Sequence, residues 1–130
     1  MPSLAPQPRQ LLAIEDILVR ERPVTVVRFL VDRLLETEEI EQLGDLLYAL
    51  VEEHGRKNLL ISFGNVQLIG SYLLGKLLGL QRRIKTANGR LALCQIGPDI
   101  NSVVHEAFVI CGLDRCFPIY VDEQEALQSF

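Results

Sequence analysis

Ser71 stands in Leu68-Ile69-Gly70-Ser71-Tyr72-Leu73-Leu74-Gly75, where an apolar stretch that reads as a strand gives way to one that reads as a helix. A hydroxyl at such a junction has two uses. It can cap the helix by accepting from a first-turn N–H that has no partner within the helix. It can also carry a phosphoryl group, because those N–H groups and the positive end of the helix dipole favour an anion there. Farther along, Tyr72, Lys76, Gly79 and Arg83 follow one another at steps of four, three and four, with Gly75 and Arg82 adjoining. A glycine inside a helix is destabilising by about 1 kcal/mol relative to alanine, so Gly75 and Gly79 need a reason. Either another part of the same domain packs closely there, or a partner protein does, with Tyr72 and Lys76 as anchors. Arg82-Arg83-x-Lys85 reads as a solvated face that complements the helix C-terminus.

Other chemistries find little support. Gly70-x-x-x-x-Gly75-Lys76 fits most of a phosphate-binding loop, but Leu77 occupies the position of the Mg²⁺-ligating Ser or Thr. Leu73 and Leu74 also belong to a helical stripe, whereas a phosphate loop needs an open backbone. No Gly-x-Ser-x-Gly elbow is present. The histidines, His54 and His105, lie far apart, and His105 reads as a surface or partly buried residue of a third helix. Cys94, Cys111 and Cys116 are three in number at spacings that match no zinc pattern. They read as reduced thiols, mostly packed as small hydrophobes. We therefore expect no enzyme, no metal and no cofactor.

The elements that must position Ser71 come from one domain. At 130 residues the chain is long enough to bury a core. Hydrophobic residues at 48% and charged residues at 23% describe an ordinary globular chain. A net charge of −4 argues against nucleic-acid binding, which needs a basic footprint. No apolar run of about 18 residues suggests a membrane span. The opening Met1-Pro2-Ser3-Leu4-Ala5-Pro6-Gln7-Pro8-Arg9-Gln10 lacks a basic region followed by an apolar core, so no secretory signal is expected. Its prolines suggest a flexible tail over residues 1–13, ahead of a domain over 14–130, and the expected location is the cytoplasm.

Strands alternate with helices along the domain, which implies a sheet with helices packed on it. Ile14 to Arg20 and Val24 to Leu30 read as strands separated around Glu21-Arg22-Pro23. Thr37 is a candidate N-cap for a helix carrying Ile40, Leu43, Leu47, Leu50 and Val51, with Gly55 as its stop. Asn58 to Phe63 has the apolar run of a buried central strand. A second helix from about Ser71 to Ala87 carries Leu73, Leu77, Leu80 and Ile84 inward and ends at Asn88-Gly89. Arg90 to Cys94 reads as the next strand. Pro98 fits the first turn of a third helix that would turn Ile100, Val103, Val104 and Phe108 inward. Ile119 to Val121 is a last short strand, and Asp122 with Glu125 opens a terminal helix.

Several of these segments together resemble a STAS domain of the anti-sigma-factor antagonist type. The family's second helix opens with a small-to-apolar strand end and then Asp-Ser-Ser-Gly-Leu-Gly; here Asn65-Val66-Gln67-Leu68-Ile69 leads into Gly70-Ser71-Tyr72-Leu73-Leu74-Gly75. Asn88-Gly89-Arg90-Leu91-Ala92-Leu93 is similar to the family's glycine turn and following strand. Gly112-Leu113-Asp114-Arg115-Cys116-Phe117-Pro118-Ile119 resembles its Gly-Leu-x-x-x-Phe segment, and Asp122-Glu123-Gln124-Glu125-Ala126-Leu127 its acidic last-helix start. The resemblance covers residues 14–130. It implies an α/β fold, a mixed central sheet with about four helices, and a regulator of transcription that binds proteins and has no catalysis of its own.

It further implies partner switching. The partner would be an anti-sigma factor that is also a serine kinase of the histidine-kinase-like ATPase type. It would phosphorylate Ser71, and the added charge at the interface would weaken binding until a phosphatase removes it. The partner surface would comprise Asn65, Gln67, Gly70, Ser71, Tyr72, Gly75, Lys76 and Gly79. Gly70, Tyr72 and Leu73 depart from the family's Asp, second Ser and Gly. Those departures leave an alternative: a phosphorylation-independent scaffold or sensory module that binds a protein or a small ligand.

Overall fold

The computed structural model describes residues 10–130. Strands β1 (Leu12–Val19) and β2 (Arg22–Phe29) form an antiparallel hairpin joined by Arg20 and Glu21, whose φ angles are 51° and 67°. Two left-handed residues in so short a loop match the right-handed twist of the strands they join. The break expected around Pro23 therefore falls at Arg20 and Glu21, and Pro23 lies within β2 opposite Leu18. Proline is tolerated there because β2 pairs with its other neighbour only from Thr25 onward.

Residues 1–9 of the expected tail lie outside the described residues. Its last positions are structured: Leu11 and Leu12 are buried, and β1 begins at Leu12. Leu12 stands opposite Phe29, on the face that packs against the helices.

Strands β4 (Asn58–Ser62), β6 (Arg90–Cys94) and β7 (Ile119–Tyr120) extend the hairpin in parallel, giving a mixed sheet of order β1-β2-β4-β6-β7. A smaller parallel pair joins β3 (Arg33–Leu34) to β5 (Leu68–Ile69). Both faces of the central strands are covered, which accounts for their unbroken apolar runs. Leu59, Ile61, Leu91 and Leu93 pack with helices α1 (Thr37–Glu52), α2 (Ser71–Thr86) and α3 (Ser102–Ile110). Leu60, Ala92 and Cys94 pack instead with α4 (Glu123–Gln128) through Ala126.

The expected inward stripes of α1 and α2 are buried as read. Their N-caps are not: Glu36 and Gly70 occupy those positions, neither with a side-chain capping bond, and Thr37 and Ser71 are the first helical residues. The third helix starts at Ser102 rather than Pro98, because Asn101 adopts a left-handed conformation (φ 56°) that the helix cannot continue through. Val104 and Phe108 are buried, whereas Ile100 and Val103 are exposed. At α4, Asp122 Oδ1 accepts from the Glu125 backbone N–H at 2.7 Å, the expected cap. Of the three thiols only Cys94 packs in the core; Cys111 closes α3 and Cys116 lies in the turn after it, both exposed.

Candidate functional site

Four phenylalanines support the loop that leads to Ser71. Phe29, Phe63, Phe108 and Phe117 stack edge to face in series, with centroid separations of 5.1, 5.9 and 6.1 Å. On this floor the chain leaves β4, crosses Gly64 to Gln67, forms β5 and enters α2 through Gly70. Backbone bonds fix each step: Phe63 N–H to Cys94 O at 3.1 Å, Gln67 N–H to Asp32 O at 2.7 Å, and Gly70 N–H to Leu34 O at 3.3 Å. Asn65 donates its side-chain amide to Phe29 O at 3.3 Å. Asn101 donates to both Phe63 O and Val66 O at 2.9 Å. One side chain thus clamps the loop to the start of α3; Phe63 O also accepts from the Val66 N–H at 3.0 Å, so without Asn101 it is Val66 O that would carry a desolvation cost.

Ser71 is exposed, and its hydroxyl makes no hydrogen bond among the described residues. Gly70, at φ −118° and ψ 174°, has an extended conformation open to any residue. What a side chain there would meet is Leu35, whose Cδ2 lies 3.3 Å from the Cβ position. Gly75, one turn beyond Ser71, has nothing within 4 Å of where its Cβ would be. Ser71 and Gly75 therefore form an open stretch of α2.

The rest of that helix face is already engaged with α1. A Cβ on Gly79 would come within 2.5 Å of Tyr48 Oη, and Tyr48 donates that hydroxyl to Lys76 O at 3.0 Å. Lys76 lies across Gly44 and pairs with Glu41 at 3.1 Å, with its ammonium 5.4 Å from the Tyr72 ring centroid. Arg83 stacks on Tyr48 at 3.8 Å and pairs with Glu52 at 2.5 Å, so it is no free member of a solvated face. Of the expected partner surface, Asn65, Gln67, Ser71, Tyr72 and Gly75 are exposed, Gly70 and Lys76 are partly covered, and Gly79 is buried under Tyr48.

Sequence comparison bears on what such a surface is for. The model of the STAS domain family matches residues 17–126. The chain belongs to the STAS domain family. An anti-sigma F factor antagonist of Paenibacillus polymyxa is 34% identical over 71 residues, a stretch that is 55% of this chain and 57% of that relative's own length. The structure of an anti-sigma-factor antagonist (STAS) domain protein from Planctomyces limnophilus matches with TM-score 0.67 and 29% identity, covering 89% of this chain and 96% of that one. The Bacillus cell fate determinant SpoIIAA, in its phosphorylated form, matches with TM-score 0.64 at 21% identity over 91% of this chain and 97% of its own, a likeness of fold.

Within this STAS domain, sequence reasoning passed over Tyr48, Glu41, Gly44 and Asn101. The first three repeat along α1 at helical spacing, matching the Tyr72-Lys76-Gly79-Arg83 series across the seam; that second periodic face was the available signal. Asn101 gave a fainter one, as an asparagine just before an apolar helical run. Among the described residues no group of three or more His, Cys, Asp or Glu side chains is placed to hold a metal, and no helix is long and apolar enough to cross a membrane.

Proposed function

We propose that this STAS domain is an anti-sigma-factor antagonist that works by partner switching, with Ser71 as the switch. The observation that carries the reading is an exposed serine hydroxyl, without a hydrogen bond among the described residues, on the first residue of α2 and one turn from an open glycine. The relationship to the anti-sigma F factor antagonist supports it. The partner is an anti-sigma factor with serine-kinase activity of the histidine-kinase-like ATPase type, opposed by a phosphatase, and the exchange takes place in the cytoplasm. Asn65, Gln67, Gly70, Ser71, Tyr72, Gly75 and Lys76 form the contact surface; Gly79 serves the interior. The domain supplies a docking surface and a phosphate acceptor, and the partner supplies the catalysis. A phosphoryl group would place about −1.5 to −2 charge beside Tyr72 and in the middle of that surface, where repulsion and desolvation release the partner.

The test is a pull-down from source lysate with ATP, using wild type, Ser71→Ala and Ser71→Glu as baits, followed by intact mass of each bait and identification of the prey. A gain of one phosphoryl group on wild type alone, with an ATPase-type anti-sigma factor absent only from the Ser71→Glu bait, supports the switch. Gly70 and Tyr72, which replace the family's acid and second serine, favour a second reading in which binding is constitutive. That reading gives the same prey on all three baits and no mass change.

A further inference from the structure

Strand β1 is an edge of the main sheet: β2 pairs with one side of it, and among the described residues no strand pairs with the other. It is eight residues long and contains no proline. An open edge of that length is a template for a further strand. Free charge is one common guard of such edges, but both acids here are taken: Glu15 pairs with Arg28, and Asp16 with Arg56 and Thr25. Between this edge and α1 runs a groove of about 810 Å³, lined by Leu11, Leu12, Ile14, Leu46 and Leu50. Ile14 is 47% exposed, Leu46 49% and Leu18 74%, so large apolar side chains stand in water along this edge.

Main-chain directions limit what can pair there. One step beyond the Leu12–Phe29 pair, Leu30 N–H donates to Leu11 O at 2.9 Å. Bonded and non-bonded pairs alternate in an antiparallel ladder, so the odd-numbered residues of β1 turn their main-chain groups to β2. Leu12, Ile14, Asp16 and Leu18 turn theirs to the open edge, where Gln10 Nε2 reaches Leu12 O at 3.1 Å. The side chains of these four share the face on which Leu12 packs against the helices. A second β1 running antiparallel must therefore set even-numbered residues opposite even-numbered ones. With the twofold axis at Asp16, Ile14 of each copy stands opposite Leu18 of the other, and each Leu18 enters a groove beside Ile14 and Leu46. Centring on Glu15 would set Ile14 against Asp16 and Glu15 against itself. Centring on Ile14 or Leu18 would leave the other without an apolar partner. In the Asp16 register both acids at the axis already face their own Arg56. The turn of one copy, with Arg20 and Arg22, then comes to the Leu12 end of the other, where Asp45 lines the groove.

We propose that two copies of this chain join through β1, antiparallel about Asp16, so that their sheets run on edge to edge and Leu18 of each copy fills the groove of the other. The pairing is isologous, the same surface serving both copies. It does not rest on the switch at Ser71: the antiparallel arrangement sets the two Ser71 surfaces at opposite ends of the joined sheet, where both stay open. The test is sedimentation equilibrium of the full chain over a range of concentrations, with wild type, Leu18→Lys and Ile110→Lys. Ile110 is 75% exposed on α3, outside the proposed interface, and controls for general loss of apolar surface. The expected result is a mass that rises to two chains for wild type and Ile110→Lys, and association at least about thirtyfold weaker for Leu18→Lys with an unchanged circular dichroism spectrum. In the wild-type dimer the amides of Ile14, Asp16 and Leu18 should exchange slowly, and a mixture of labelled and unlabelled chains should show methyl contacts between Ile14 of one copy and Leu18 of the other. A mass of one chain up to about 1 mM overturns the proposal; slow exchange at Ile14 and Leu18 in that monomer would give the edge to residues 1–9 instead. A dimer that survives Leu18→Lys, is weakened equally by Ile110→Lys or lacks the Ile14–Leu18 contact overturns it as well.

Discussion

Gly75 and Gly79 lie one turn apart on α2 and are small for different reasons. Gly79 is pressed by the Tyr48 hydroxyl, so Gly79→Ala should lower stability by roughly 1–3 kcal/mol in urea unfolding, the usual cost of overpacking. Adding Tyr48→Phe should recover part of that loss, because the two changes share one contact. Gly75 has open space, so Gly75→Ala should raise stability by about 0.5–1 kcal/mol; an equal loss from both alanines would refute the distinction. The sequence presented the two glycines alike, since the residue that separates them comes from another helix. The thiols divide in a similar way. Burial pushes the Cys94 thiol up to about 12, while Cys111 and Cys116 are exposed. An alkylating agent at pH 8 should label two thiols in the native protein and all three in denaturant, as read by intact mass; labelling of all three in the native state would contradict the buried placement of Cys94.

The helices and strands around Ser71 were legible wherever one apolar face repeats over several turns. Leu73, Leu77, Leu80 and Ile84 declared α2, and Leu59 to Ile61 declared a central strand. Starts of elements were harder, because a cap is decided by a single residue's conformation. Ser71 and Thr37 carry suitable hydroxyls, yet Gly70 and Glu36 take the cap positions, and Asn101 moves the start of α3 past Pro98. The loop between β4 and β5 depends on that asparagine. Asn101→Ala should cost about 1–3 kcal/mol, as Val66 O loses its donor and Phe63 O keeps only the Val66 N–H. The same variant should speed amide exchange at Val66 and Gln67 while leaving α4 unchanged; uniform acceleration across the sheet would mean that the clamp is not local.

Across the whole molecule, polar side chains tie the elements that the apolar core leaves at the edge. Arg28 of β2 binds Glu15 of β1 and Glu123 of α4, and Asp16 of β1 binds Thr25 and Arg56. The Asp16 carboxyl is held below its usual value of 3.8, first by the Thr25 hydroxyl and then by Arg56. Its folded pKa lies under its unfolded one, so this contribution to stability is present above about pH 4 and is lost as pH falls through the folded pKa. Thr25→Val should therefore show a shallower loss of stability than wild type between pH 6 and pH 3; identical slopes would exclude Asp16 from the acid limb. A sheet with helices packed on it could be read from alternating segments, and its mixed character from the family resemblance, but the pairing of Tyr48 with α2 arises only when distant segments meet. The resulting domain presents an open, serine-bearing surface, and in the proposed function charge at Ser71 controls binding. The most direct test is calorimetric titration of the anti-sigma factor identified by pull-down against wild type, Ser71→Ala and Ser71→Glu. The expected result is near-equal affinity for the first two and at least about tenfold weaker binding for Ser71→Glu, a penalty on the order of 1.4 kcal/mol; equal affinity for all three would contradict it.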